Sequence, residues 1–168
     1  RLHRMVAKAG AVGGEQLEPV RAEVERVSQK IGRRVKFLVG KPGLDGHSNG
    51  AEQIALRARD CGFDVVYDGI RQSAADLVTA AETAGPDIIG LSVLSGSHLE
   101  LARDFVGALR SAGIETPVVL GGIVPPADAA ALRALGVARI YTPKDFRLTD
   151  VLSDIVELLE RRQPANSR

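Results

Sequence analysis

Lys41-Pro42-Gly43-Leu44-Asp45-Gly46-His47-Ser48-Asn49-Gly50 sets a carboxylate two residues before an imidazole and places glycines between and after them. Asp45 can accept the hydrogen bond of one ring nitrogen of His47, which fixes the tautomer and leaves the other lone pair for a metal or a proton. Gly46 lets the chain turn so that the two side chains meet, and Gly50 lets a bulky ligand approach the backbone. Three more stretches carry small or hydroxylated residues: Ser92-Val93-Leu94-Ser95-Gly96-Ser97-His98, Gly121-Gly122-Ile123 and Thr142-Pro143-Lys144-Asp145. Taken singly each has an ordinary explanation. A loop histidine is more often solvated than ligating, Ser92 can bond a strand-end amide, Leu94 can be core, and Gly121-Gly122 can be a tight turn.

The elements that must position these residues are legible from residue 35 onward. Short aliphatic runs at 35–39, 65–67, 88–91, 118–120 and 139–141 have the composition of strands buried on both faces. Between them, Ile54/Ala55/Ala58/Cys61, Leu77/Val78/Ala81, Leu101/Ala102/Phe105/Val106/Leu109 and Ala131/Leu132/Leu135 recur at helical spacing, and Val151/Leu152/Ile155/Val156/Leu159 mark a final helix. Gly62, Gly85, Gly113 and Gly136 stand where those helices should stop. This alternation predicts an α/β fold: a doubly wound five-stranded parallel sheet, flavodoxin-like (Rossmann-like), with helices on both faces. Ligands of such sheets bind beyond the carboxyl ends of the strands, and all four chemistry-bearing stretches fall there. Their joint position at one sheet edge is what the ordinary explanations leave unaccounted for.

Residues 1–34 form an N-terminal linker or interface helix in this reading, with Leu17/Val20/Val24/Val27/Ile31 as one apolar stripe, Pro19 near its start and Gly32 past its end. The pattern alone leaves open whether the stripe covers the chain's own sheet or a neighbour. Residues 35–161 form the ligand-binding domain and 162–168 a flexible polar tail. A start at Arg1 points to a fragment of something longer.

Composition narrows the function. In 168 residues, 22 Lys and Arg stand against 21 Asp and Glu with 4% aromatics, so neither a basic field nor a stacking platform favours nucleic acid. The single cysteine excludes a disulfide framework and favours a reducing, cytoplasmic setting. No apolar run reaches membrane-spanning length. A P-loop would need Lys followed by Ser or Thr after its glycines, and G-x-G-x-x-G is missing from the first turn. His3, His47, His98 and Cys61 lack the spacing of a zinc site. A phosphorelay receiver would carry an Asp where Ser92 stands.

Asp45-Gly46-His47-Ser48-Asn49-Gly50, Ser92-Val93-Leu94 and Gly121-Gly122 together resemble the D-x-H-x-x-G, S-x-L and G-G signatures of the cobalamin-binding domain of B12-dependent mutases and methionine synthase. The resemblance covers residues 33 to 160, with each motif after its expected strand. The wider wording around these motifs, including Tyr141-Thr142-Pro143-Lys144-Asp145-Phe146, is most similar to the carboxy-terminal domains of ethylmalonyl-CoA mutases within the methylmalonyl-CoA mutase family. Methylmalonyl-CoA mutases typically carry Gly-Thr where Lys144-Asp145 stands.

That resemblance implies adenosylcobalamin bound base-off, with its nucleotide tail in a deep slot and His47 as axial ligand of the cobalt. It implies Asp45 and Lys41 as the relay behind His47, with Gly46 and Gly50 shaping the loop. It further implies Ser92 on the benzimidazole nitrogen, Leu94 in the slot wall, Gly121 and Gly122 along the tail, and Tyr141 and Thr142 at the far end. No catalytic residue is expected in this chain. The implied reaction is a radical carbon-skeleton isomerisation of an acyl-CoA, ethylmalonyl-CoA to methylsuccinyl-CoA, started by cobalt–carbon homolysis. The acyl-CoA would sit in a TIM-barrel domain or subunit of a homodimeric or heteromeric holoenzyme. Two rivals share the fold: the corrinoid protein of a methyltransferase, whose usual helical cap exceeds residues 1–34, and a non-catalytic B12-sensing or receiver-like signalling module.

Overall fold

The computed structural model describes residues 17–42, 49–93, 96–122, 124–142 and 147–166. Helix α1 (Leu17–Ile31) precedes β1 (Lys36–Pro42), α2 (Asn49–Asp60), β2 (Asp64–Gln72), α3 (Ala74–Ala84) and β3 (Ile88–Val93). Then follow α4 (Gly96–Ser111), β4 (Val118–Gly122), α5 (Pro126–Ala134), β5 (Val137–Tyr141) and α6 (Leu148–Asn166). The strands form one parallel sheet in the order β2-β1-β3-β4-β5. This is the flavodoxin-like order, with its switch point between β1 and β3.

The helices divide between the faces as their stripes require. Phe37, Val39, Ile88, Val119 and Tyr141 pack under α1, α2 and α6, while Leu38, Ile89, Leu91, Leu120 and Val137 pack under α3, α4 and α5. Helix ends follow local chemistry. Ser73 and Asp76 form a reciprocal capping box at the start of α3, and Gly85 closes it in the left-handed conformation, φ 60°.

Four strands extend beyond their apolar runs at the carboxyl end: β1 to Pro42, β2 to Gln72, β3 to Val93 and β4 to Gly122. Glycine and serine end a hydrophobic pattern, but their backbones still carry the ladder, so the run stops before the strand does. The edge strands also differ from the expectation of burial on both faces. Val65, Val66 and Tyr67 of β2 are only partly buried, as are Ala138, Arg139 and Ile140 of β5, because each edge has a neighbour on one side only. Cys61 lies just past α2 rather than within it; its N–H bonds the carbonyls of Arg57 and Ala58, continuing the last turn.

Helix α1 buries Val20, Val24 and Val27 in the same cluster as Leu152, Val156 and Leu159 of α6. Each such valine contributes about 1.5–3 kcal/mol by leaving water. Arg26 and Lys30 of α1 pair with Glu160 of α6 at 2.8 and 3.2 Å, and the Ser153 hydroxyl donates to Glu23 at 3.0 Å. At the amino end of the sheet, Arg33 holds both carboxylate oxygens of Asp87, which also accepts the Lys36 N–H, tying the entry of β1 to that of β3. Helix α6 runs on to Asn166.

Candidate functional site

Parallel register brings together residues that lie far apart in sequence. Ser92 of β3 pairs with Gly121 of β4, and Gly121 pairs with Tyr141 of β5. These three form one row at the carboxyl end, on the face covered by α2 and α6. The row beneath it pairs Gly90 with Val119. Two of these positions have no side chain and a third has only a hydroxymethyl group, so the helices stand off the sheet here.

The result is a cavity of about 200 Å³ between sheet and helices. Phe37, Gly90 and Val119 lie deepest by register, Ser92, Gly121 and Tyr141 above them, and Gly122 and Thr142 at the strand ends. Gln53 and Ile54 of α2 and Leu148, Val151 and Ile155 of α6 supply the opposite wall. Its lining is apolar apart from Ser92, Gln53 and Thr142, so it suits a flat ring with one or two hydrogen-bonding atoms.

The adjacent glycines have different tasks. A Cβ at Gly121 would meet nothing within 4 Å, so its missing side chain is open space. A Cβ at Gly122, φ 150°, would stand 1.9 Å from the Val93 carbonyl oxygen. Gly122 is therefore required by close backbone approach, whereas Gly121 leaves room for a guest.

Tyr141 is 5% exposed, and its hydroxyl donates to Asp154 of α6 at 2.5 Å. Arg139 also reaches Asp154, at 3.3 Å. Burial first, and the bond to Asp154 second, push the Tyr141 phenol far above its ordinary range. It stays protonated and serves as a fixed wall, not a base. Cys61, buried beneath α1, has its thiol pushed up to about 11 by burial, so it is no nucleophile at neutral pH.

Of the residues singled out in the sequence, Ser92, Gly121, Gly122, Tyr141 and Thr142 line this one cavity. Asp45, Gly46, His47 and Leu94 lie outside the described residues, as does the side chain of Lys41; Gly50 stands in the first turn of α2. The chain connection is nonetheless informative. Residues 43–48 join the carboxyl end of β1 to α2, whose Gln53 and Ile54 line the cavity. Among the described residues no cluster of His, Cys, Asp and Glu could hold a metal ion, and no helix is long and apolar enough to cross a membrane.

Sequence reading missed Phe37, Gly90 and the α2 and α6 wall. Ile54, Val151 and Ile155 carried only a core-stripe signal. Gly90 within a β-branched run was the one available hint of close approach. Two larger hollows lie elsewhere, about 400 Å³ near Asp87 and Arg162 and about 540 Å³ outside β5 near Arg139 and Asp154. Volume does not choose among the three. Only the smallest joins the carboxyl ends of the central strands to the glycine and serine positions.

A family model described as "B12 binding domain" matches residues 35–164. The chain is 54% identical over 156 residues to ethylmalonyl-CoA mutase of Cereibacter sphaeroides, a match covering 93% of this chain and 24% of that protein. It is 41% identical over 112 residues to the pivalyl-CoA mutase small subunit of Xanthobacter autotrophicus, covering 66% of this chain and 75% of that subunit. Among solved structures, a cobalamin-binding protein from Desulfitobacterium hafniense superimposes with a TM-score of 0.64 at 20% identity, covering 92% of this chain and 76% of that chain. A signal receiver domain from Vibrio parahaemolyticus gives 0.61 at 17% identity over 80% of this chain and 95% of that chain. These last two likenesses speak for the fold alone. The chain spans about a quarter of the length of the Cereibacter mutase.

Proposed function

Because the chain belongs to the B12-binding domain family, we propose that it holds adenosylcobalamin, base-off, as the cofactor domain or small subunit of a radical acyl-CoA mutase. The observation that carries this reading is the slot at Ser92, Gly121 and Tyr141, together with the 54% identity to an ethylmalonyl-CoA mutase. The substrate pair proposed on that identity is ethylmalonyl-CoA and methylsuccinyl-CoA.

The described residues fit the nucleotide tail of such a cofactor. Open space at Gly121 admits an aromatic ring edge-on, and the apolar walls from Val119, Val151 and Ile155 favour its burial. Ser92 is the hydroxyl partner for a ring nitrogen. By the family resemblance Leu94 would pack the wall; Gly122 and Thr142 would flank the path of the tail, while Asp154 holds Tyr141 in place at its far side. His47 would hold the cobalt of the bound cofactor through its free ring nitrogen. Asp45 orients its imidazole and tunes its basicity, and Lys41 joins that relay. Gly46 would let the loop turn, and Gly50, in the first turn of α2, would let the ligand approach the backbone.

When bound, the cofactor supplies a weak cobalt–carbon bond as a source of radicals; this chain anchors it and keeps water from the buried tail. The acyl-CoA site belongs to a TIM-barrel partner, fused or separate, in a homodimeric or heteromeric holoenzyme. The chain alone binds cofactor without turnover. A reducing cytoplasm suits its single buried thiol.

Titration of the chain with adenosylcobalamin, followed by its visible spectrum, tests the reading. The spectrum is expected to shift to the base-off, histidine-ligated form, and His47→Ala to remove the histidine signature while leaving the thermal midpoint within a few degrees. Absence of binding, or the same spectrum without His47, overturns it.

A further inference from the structure

The slot ends on a single aromatic side chain. Phe37 is 1% exposed, and its ring reaches from β1 across β3 until it lies directly on Gly90. A Cβ at Gly90 would stand 2.8 Å from Cε1 and 3.0 Å from Cζ of that ring. Along this face β3 presents Ile88, Gly90 and Ser92 in turn, so the ring occupies the space that a middle side chain would have filled. The Phe63 ring packs against Phe37 at 5.6 Å with a 50° tilt, and Val119 lies beside Gly90 in register. Core atoms therefore back the ring. The cavity it lines is the space left for it to move into.

We propose that Phe37, resting on Gly90, sets the depth of the slot and thereby selects among corrinoids by the size of the heterocycle on the nucleotide tail. This inference rests on the reading that the slot takes that tail. A close-packed apolar pocket discriminates one methylene group by about 10- to 200-fold, so a floor displaced by a few tenths of an ångström changes the preferred ring. At Gly90 a methyl group forces such a displacement, because 2.8 Å is too short for two carbons. It drives the ring toward the row of Ser92, Gly121 and Tyr141. Shortening Phe37 does the reverse and lengthens the slot.

The test compares dissociation constants, by absorbance titration of the whole chain, for four ligands. These are cobalamin with its dimethylbenzimidazole, the analogue with unsubstituted benzimidazole, an analogue with a longer tricyclic naphthimidazole, and cobinamide, which lacks the tail. Ratios taken within one variant are independent of how much of it is folded. The unsubstituted protein is expected to bind cobalamin at least tenfold more tightly than either cobinamide or the tricyclic analogue. Gly90→Ala is expected to lower the cobalamin-to-cobinamide preference about tenfold and to favour the unsubstituted benzimidazole. Phe37→Leu is expected to erase most of the preference for cobalamin over the tricyclic analogue, and it carries the test if Gly90→Ala does not fold. A strong preference for cobalamin over cobinamide that neither variant alters overturns the role of Phe37 and leaves the slot reading standing. No preference over cobinamide in the unsubstituted protein overturns the slot reading, and the role of Phe37 with it.

Discussion

Strands β3 and β4 show two unlike faces to the helices that cover them. Toward α3, α4 and α5 they present Ile89, Leu91, Val93, Val118 and Leu120, all at most 2% exposed, a closed layer of branched side chains. Toward α2 and α6, in alternation with those, they present Ile88 and Val119 but also Gly90, Ser92 and Gly121; the Phe37 ring covers Gly90, and the space over Ser92 and Gly121 is open. One face is packed for stability, and the other gives up packing to make room. Because alternate residues of one strand serve the two purposes, a single step along the chain separates a structural role from a binding one.

Three substitutions can break or sharpen that contrast. The largest effect is expected on the filled face. Leu120→Ala should cost about 2–5 kcal/mol by leaving a cavity in a closed layer. Urea midpoints will show the loss, and the cobalamin-to-cobinamide affinity ratio of the folded fraction should not move. A change in that ratio would mean that the two faces are not independent.

Next comes Gly121, on the emptied face. Gly121→Val should change stability by less than about 1 kcal/mol, since a Cβ there meets nothing within 4 Å. Cobalamin affinity should fall by about tenfold or more as the isopropyl group fills the slot. A glycine that proved essential to folding but indifferent to ligand would reverse the assignment and make this face structural too.

The smallest effect lies outside the sheet, in the clamp between α1 and α6. The hydrogen bond from Arg26, aided by Lys30, holds the Glu160 carboxyl down to about 2 against an ordinary 4.5. A depressed carboxylate adds stability above its unfolded value and loses it as pH falls through the folded one. The protein should therefore lose a small increment of stability between pH 4.5 and 2, and Glu160→Gln should flatten the pH dependence of the thermal midpoint there. No difference between the two proteins across that window would show the pair to be energetically silent.

Most of the architecture was legible because local rules act on adjacent residues. The helix-ending glycines illustrate this: Gly32, Gly62, Gly85, Gly113 and Gly136 all have positive φ, the conformation that their position after an apolar stripe anticipates. Strand ends were less legible where function intrudes, since Ser92, Gly121 and Gly122 break the apolar run while remaining in the ladder. The cavity walls from α2 and α6 were the least legible. Ile54, Val151 and Ile155 have the spacing of any core stripe, and nothing local says that the sheet beneath them is bare.

By itself, the sequence determined the order and kind of the elements, the glycine stops of the helices that lead into strands, and the collection of small, hydroxylated and imidazole-bearing residues after β1, β3, β4 and β5. Those features depend on backbone preference and periodicity over a few residues. Only the tertiary structure decided that Ser92, Gly121 and Tyr141 form one row, that Phe37 closes the slot below them on Gly90, and that α1 packs against α6. Register between strands is set by packing across the whole sheet, and the depth of a cavity depends on which side chain from another strand fails to fill it. Neither quantity exists until distant parts of the chain have met.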